Sequence, residues 1–297
     1  QTGKFSGIFP TKKLRYDVFE NNQGTGGFMI KIEPTGESLG ATISNVDMAN
    51  LDQSAFDEIH AAWLEHLVLR FRGQTLDDTS LAAFSRRFGK LDNAPIGRGG
   101  DYPIPDRPEI TIISNIIEDG KAIGGLGNSE AVWHSDMTYV DMPPKASLLY
   151  GMEIPNTGGD TWFCNMYRVY EDLPEAMKTR IAGLRCKHDS TRTSSGSLRT
   201  GFAEQYSPEE QPGEDHPLIV RHPETSRQAL YLGRRRNAYI VGMSAADSDV
   251  LLDEIWDHAN ASPHSWAQKW AVGDLVLWDN RCTMHRRDGF DDAERRL

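Results

Sequence analysis

From Ile110 to the end of the chain, the apolar residues fall in runs too short for helices. "ITIIS", "ASLLYGMEI", "DTWFC", "PLIVR", "QALYLG" and "DLVLWDN" are separated by clusters of Gly, Pro and Asp. Short apolar runs closed by turn formers read as strands, whereas a helix needs a 3.6-residue period held over about ten residues or more. Alternating β/α units would place such helices between successive strands, and here only one stretch, after Met243, reads that way. The expected architecture is mainly β with peripheral helices, a sandwich or jelly roll.

The helices belong to the margins of that pattern. "QSAFDEIHAAWLEHLVLRF" puts Phe56, Ile59, Trp63 and Leu67 on one face, an amphipathic helix running into a strand. "DDTSLAAFSRRFG" predicts a second, with Asp77, Asp78 or Thr79 as N-cap and Gly89 as stop. Ser244 with Asp247 three residues on opens a third over "AADSDVLLDEIWDHAN". "FMIKIEP" and "LGATISN" alternate like short strands. No repeat or linker divides the sequence, so one domain over 1–297 is expected, with 1–27 as a polar N-terminal extension. The stretch from about 190 to 215, "STRTSSGSLRTGFAEQYSPEEQPGED", is polar and aperiodic, as a mobile lid would be.

Charge narrows the partners. With 43 acidic against 32 basic residues the formal charge is −11, so general binding to nucleic acid or to an anionic membrane is not expected. No run approaches the ~20 apolar residues of a membrane span. The polar start lacks a basic-then-apolar export signal, and Cys164, Cys186 and Cys282 show no C-x-x-C spacing. Reduced thiols and a cytoplasmic location are expected.

Common catalytic signatures are missing: there is no GxxxxGK[ST], no H-E-x-x-H and no G-x-S-x-G. "GTGG" and "GGLG" do not join a strand to a helix and read as turns. Two His-x-acid pairs occur, about what chance allows. His222-Pro223-Glu224 lies in "RHPETSR" and reads as a surface histidine beside a turn acid. His134-Ser135-Asp136 lies in a strand-like segment, where residues i and i+2 project from one face. An imidazole and a carboxylate side by side are two thirds of a facial 2-His-1-carboxylate site, which leaves open positions on Fe(II). The third ligand would be a histidine from another strand. His285, after the strong strand "DLVLWDN", is the best placed, although an ordinary half-buried histidine fits the same residues.

"WHSDMTY", "GGDTWF" and "WDNRCTMHRRDGFDDAERR" resemble the iron- and 2-oxoglutarate-dependent taurine/phenoxyacetate dioxygenase family, with its blocks in order from "IKIEPTGESLGATISNVD" to the end. The resemblance implies a double-stranded β-helix core, with Fe(II) as metal and 2-oxoglutarate as co-substrate. It makes His134, Asp136 and His285 the iron ligands. Thr161 matches the threonine that binds 2-oxoglutarate. Arg296 matches the arginine that pairs with its distal carboxylate, a geometry that suits a planar guanidinium. Family members carry a further strand past this arginine, often with a second, substrate-facing basic residue; the sequence here runs to Leu297. The retained Asp136 argues against a halogenase, which needs that position vacant. The implied reaction consumes O2, releases succinate and CO2, and hydroxylates a small organic molecule. Dimers or tetramers are implied as well.

Two readings remain for "LYLGRRRNAYIVGM". Arg234, Arg235 and Arg236 are either a turn offsetting the chain's acidity, or one of them, Arg235 or Arg236, pairs with an anionic group on the substrate. Two other classes also fit parts of the pattern: a non-catalytic jelly roll that binds a metal or ligand, and a metal-dependent hydrolase on the same fold. Neither requires Thr161 and Arg296.

Overall fold

The structure, a computed structural model, describes residues 29–93, 104, 106–127, 131–194, 196–199, 201–203 and 207–297. The expected N-terminal extension and the "GTGG" glycines lie outside them.

The first helix forms as its periodicity predicts. α1 (Gln53–His66) is capped by Asp52, whose side chain accepts from the Ala55 N–H, and it buries Phe56, Ile59, Ala62 and Trp63. It stops at Leu67, held at φ 66°, and the chain enters β3 (Val68–Phe71) at once. β1 (Lys31–Pro34) and β2 (Ala41–Ser44) precede it, and α2 (Asp78–Arg86), capped by Asp77, follows. After four two-residue strands between Ile113 and Leu126 come β4 (Ala131–His134), β5 (Ala146–Tyr150) and β6 (Thr161–Asn165). α3 (Met166–Glu171) and α4 (Glu175–Ile181) lead to β7 (Arg185–Lys187), β8 (Asp215–Pro217), β9 (Ile219–Arg221), β10 (Gln228–Leu230) and β11 (Tyr239–Ile240). α5 (Ala245–Asn260), β12 (Ser265–Gln268), β13 (Leu275–Asp279) and β14 (Thr283–Arg287) complete the order.

Two sheets position the site. One runs β1-β2-β3-β13-β5 and the other β12-β6-β14-β4, antiparallel throughout apart from β2–β3. β13 is buried along its whole length, as its unbroken apolar run demands. Leu275 and Leu277 pack with Ala41, Ile43, Leu69 and Phe71 under the aromatic residues of α1 and α2. Val276 and Trp278 face the other way, into a core shared with Phe163 and Met284 of the second sheet. All three cysteines are buried and unpaired. Among the described residues no helix is long and apolar enough to cross a membrane.

Several expectations need correcting. "ITIIS" contributes only Ile113–Ser114 as strand. The polar stretch near 190–215 is not wholly irregular in its described part: Arg192 bridges Leu198, and Thr193 and Arg199 donate back to Ser197 and Thr191, closing a small hairpin. His222 is not a surface residue but 1 % exposed, because its partner Asp279 sits at the end of buried β13.

Candidate active site

Cross-strand register creates the centre. His134 ends β4 and lies directly opposite His285 on β14, so the two rings share a face with centroids 4.2 Å apart. Asp136 joins them differently from the strand geometry expected. β4 ends at His134, and Asp136 sits in the following turn, which Asn280 clamps. Asn280 Oδ1 accepts from the Asp136 N–H (2.7 Å), while its amide donates to Asp136 O (2.9 Å) and Pro144 O (3.0 Å). Ser135 is tied on both sides, through its N–H to Gly233 O and its hydroxyl to Thr283 O.

The donor atoms are aimed at one point. The Nδ1–H of His134 donates to Val132 O (2.8 Å), which leaves the Nε2 lone pair facing inward. Ser147 donates to Asp136 Oδ2 (2.7 Å), so Oδ1 is the oxygen presented to the imidazoles. It lies 3.6 Å from His134 Nε2 and 3.7 Å from His285 Nε2, too far for good hydrogen bonds. Neighbouring ligands of a first-row ion sit roughly 3 Å apart, so the triad is spaced for a metal. Burial and the charge His285 would carry drive the His134 pKa down to about 3. Burial likewise lowers His285. Burial raises the Asp136 carboxyl, but His285, His134 and Ser147 together bring it below the usual carboxylate range. At neutral pH the set is two neutral imidazoles and one carboxylate, ready to bind a divalent cation without losing a proton.

Phe163 and Trp278 shield His285, with centroids at 6.1 and 4.9 Å. His222, Asp279 and Cys282 also converge, but hydrogen bonds already fill that cluster. His222 lies 3.0 Å from Asp279, takes the N–H groups of Glu224 and Thr225 on its other nitrogen, and Arg281 holds both Asp279 oxygens.

A second group of polar residues lies along the same sheet. In the β6–β14 register Phe163 faces His285 and Thr161 faces Arg287. Thr161 is therefore roughly 7 Å along the strand from the metal centre, about the reach of a five-carbon diacid. Its hydroxyl accepts from Trp270 Nε1 (3.0 Å) and keeps its own proton to donate. Arg296 is not a solvated terminal charge: it is 5 % exposed, with Nη1 donating to Gly159 O. A Cβ on Gly159, which has φ +69°, would lie 2.5 Å from that nitrogen. Arg287 and Arg296 both lie over the Phe290 ring, at 5.6 and 5.7 Å. Burial, aided by Arg287, lowers the Arg296 pKa to about 10. Among the described residues no carboxylate pairs with Arg296, and an incoming one would find a fixed cation.

The arginine triplet divides unexpectedly. Arg235 pairs with Asp253 (2.7 Å) and Asp249 (3.0 Å) on α5, and Arg236 is exposed; neither faces the centre. The segment is a turn, as one of the two sequence readings has it. Arg234 turns inward instead, close enough that its charge opposes protonation of His134 and His285.

The profile of the taurine catabolism dioxygenase TauD, TfdA family matches residues 31–297. The chain belongs to this family. It is 35% identical over 283 residues to the (S)-phenoxypropionate/alpha-ketoglutarate-dioxygenase of Delftia acidovorans, covering 88% of this chain and 90% of that one. A putative alpha-ketoglutarate-dependent taurine dioxygenase from Burkholderia xenovorans superposes with TM-score 0.72 at 32% identity, over 90% of this chain and 87% of the other. A crystal structure of AAD-2 in complex with Mn(II) and N-oxalylglycine gives TM-score 0.71 at 28% identity, over 91% and 94%. The shared fold is mostly sheet with few helices.

Proposed function

We propose that the chain is an Fe(II)- and 2-oxoglutarate-dependent dioxygenase that hydroxylates a small anionic organic substrate. The observation that carries this is the spacing of His134, Asp136 and His285, too wide for mutual hydrogen bonds and suited to one ion. Those three residues would hold Fe(II) on one face. Thr161 and Arg296 would hold the distal carboxylate of 2-oxoglutarate. The bound pair of metal and co-substrate supplies the oxidising chemistry: O2 is consumed, a C–H becomes C–OH, and 2-oxoglutarate leaves as succinate and CO2. The protein fixes the ligand tautomer through Val132, selects one Asp136 oxygen through Ser147, and excludes water with Phe163 and Trp278. An anionic substrate accords with the phenoxypropionate named for the Delftia relative.

The same proposal takes the two large sheets as halves of a double-stranded β-helix, since β13 and β14 are consecutive yet lie in different sheets and meet through Trp278 and His285. It takes the chain as one domain, 190–215 as a lid, and the protein as a cytoplasmic dimer or tetramer, which size-exclusion chromatography with light scattering would test. A hydrolase using the triad alone would leave the buried Arg296 without a use. Succinate formation from 2-oxoglutarate with sulfonates, aryloxy acids and amino acids is the assay. It must require Fe(II), 2-oxoglutarate and O2 together; succinate formed without Fe(II) overturns the proposal.

A further inference from the structure

Beside the metal centre lies a group of cationic and polar residues that neither the triad nor Thr161 and Arg296 use. Gly233 O accepts from the N–H of Ser135, between two of the candidate ligands, so the next residue, Arg234, is fixed against the centre by backbone geometry. Its Nη1 donates to Arg192 O (2.8 Å), and its buried Nε has no partner. Arg199, from the small hairpin, donates to the same Arg192 carbonyl (3.3 Å) and to the Tyr139 hydroxyl (2.7 Å). Among the described residues neither Arg199 nor Arg234 has a carboxylate within ion-pairing distance.

His188 completes the group. It is 2 % exposed, yet neither ring nitrogen has a hydrogen-bond partner. Unsatisfied buried donors are rare because each forfeits its hydration, and here an imidazole and a guanidinium do so together. The position is built rather than incidental. A Cβ on Gly233, at φ +62°, would fall 1.8 Å from His188 Nδ1 and 2.7 Å from Thr138 Oγ1, so only glycine lets the ring sit there. Tyr231 packs against the same ring at 5.9 Å.

We infer that Arg234, with His188 beside it and Arg199 on the same Arg192 carbonyl, is the seat for the oxyanion head group, carboxylate or sulfate, of the primary substrate. Arg235 and Arg236 are then excluded from that role. The inference rests on the dioxygenase proposal for its metal centre and deepens it. A planar guanidinium and one N–H from the imidazole offer convergent donors to an oxyanion. Fixing the anion beside the ligand turn would orient one C–H toward the metal.

The test uses protein loaded with Mn(II) and N-oxalylglycine, and calorimetric titration with 2-phenoxypropionate, its neutral amide, and octyl sulfate. Wild-type protein should bind at least one of the two anions and discriminate the acid from its amide. Arg234→Met and Arg234→Gln should weaken anion binding about 30-fold or more and bring the acid-to-amide ratio near one. N-oxalylglycine affinity should stay unchanged in both variants, which also shows that they fold. Arg235→Met should behave as wild type. No anion bound by the wild type, or an acid-to-amide ratio preserved in both Arg234 variants, overturns the inference. If instead N-oxalylglycine fails to bind the wild type, the dioxygenase proposal itself falls.

Discussion

Arg296 is a buried cation that shares the Phe290 ring with Arg287, so the anion that arrives there should be worth a measurable stability. Its pKa, lowered to about 10, still leaves it charged at neutral pH. Arg296→Met keeps most of the stem and removes the charge. Truncating one member of a hydrogen-bonded charge pair costs roughly 2–5 kcal/mol, so 2-oxoglutarate should bind about 30-fold more weakly at the least. At 100 times Kd a ligand adds about 2.7 kcal/mol to the native state. For a chain of this size that is roughly 5–10 °C in melting temperature. At the same concentration the variant would be at only about 3 times its own Kd, and the shift should shrink to roughly 2–3 °C. Scanning calorimetry with Mn(II), with and without 2-oxoglutarate, reads this directly. A full-sized shift in Arg296→Met, or none in the wild type, would refute the assignment.

His134→Ala, Asp136→Ala and His285→Ala should each abolish turnover and strip Fe(II), measured by metal analysis, with little change in melting. His222→Ala should do the reverse, losing about 1.5–3 kcal/mol of stability with the charge-assisted contact to Asp279 while metal stays bound. Asn280→Ala frees the turn that carries Asp136 and should weaken Fe(II) binding about 10–100-fold with the far-UV spectrum unchanged. Burial holds His188 near a pKa of about 3. As pH falls below 6.5 the unfolded chain therefore takes up this proton first, and metal-free protein should lose up to about 1.4 kcal/mol per pH unit toward pH 3; denaturant melts of His188→Gln should show a flatter profile. Limited proteolysis between 190 and 215 should slow when Mn(II) and N-oxalylglycine are bound, and unchanged cutting would count against a lid.

The helices with a clear apolar face or end signal were legible: α1 buries the face its period shows, and α2 and α5 begin at Asp77 and Ser244, each bonded to the first turn. α3 and α4 were not. α3 starts on the last residue of a strand, Asn165, and α4 follows Pro174 with no side-chain cap. Local pattern found His134 and Asp136, but what joins them is Asn280, 144 positions from Asp136, and no local pattern encodes such a clamp. The burial of His222 likewise depends on Asp279, 57 positions on. The arginine triplet lies in a turn, one of the two readings the sequence left open, and the partners that hold Arg235 outward are on α5, which the local pattern does not show.

The three cysteines hold a use unrelated to chemistry at the centre. Burial lifts the Cys164 and Cys186 thiols to about 12 and Cys282 well above its ordinary value. Each is thus withheld from a reagent both by access and by protonation. The folded molecule should give no signal with a maleimide dye, and any labelling must report an opening. Cys164 stands on β6 opposite Met284, Cys186 on β7 opposite Ile240 of β11, and Cys282 in the turn between β13 and β14. Single-cysteine variants would thereby time the breathing of three separate regions without any added probe, ranking which part of the scaffold opens first.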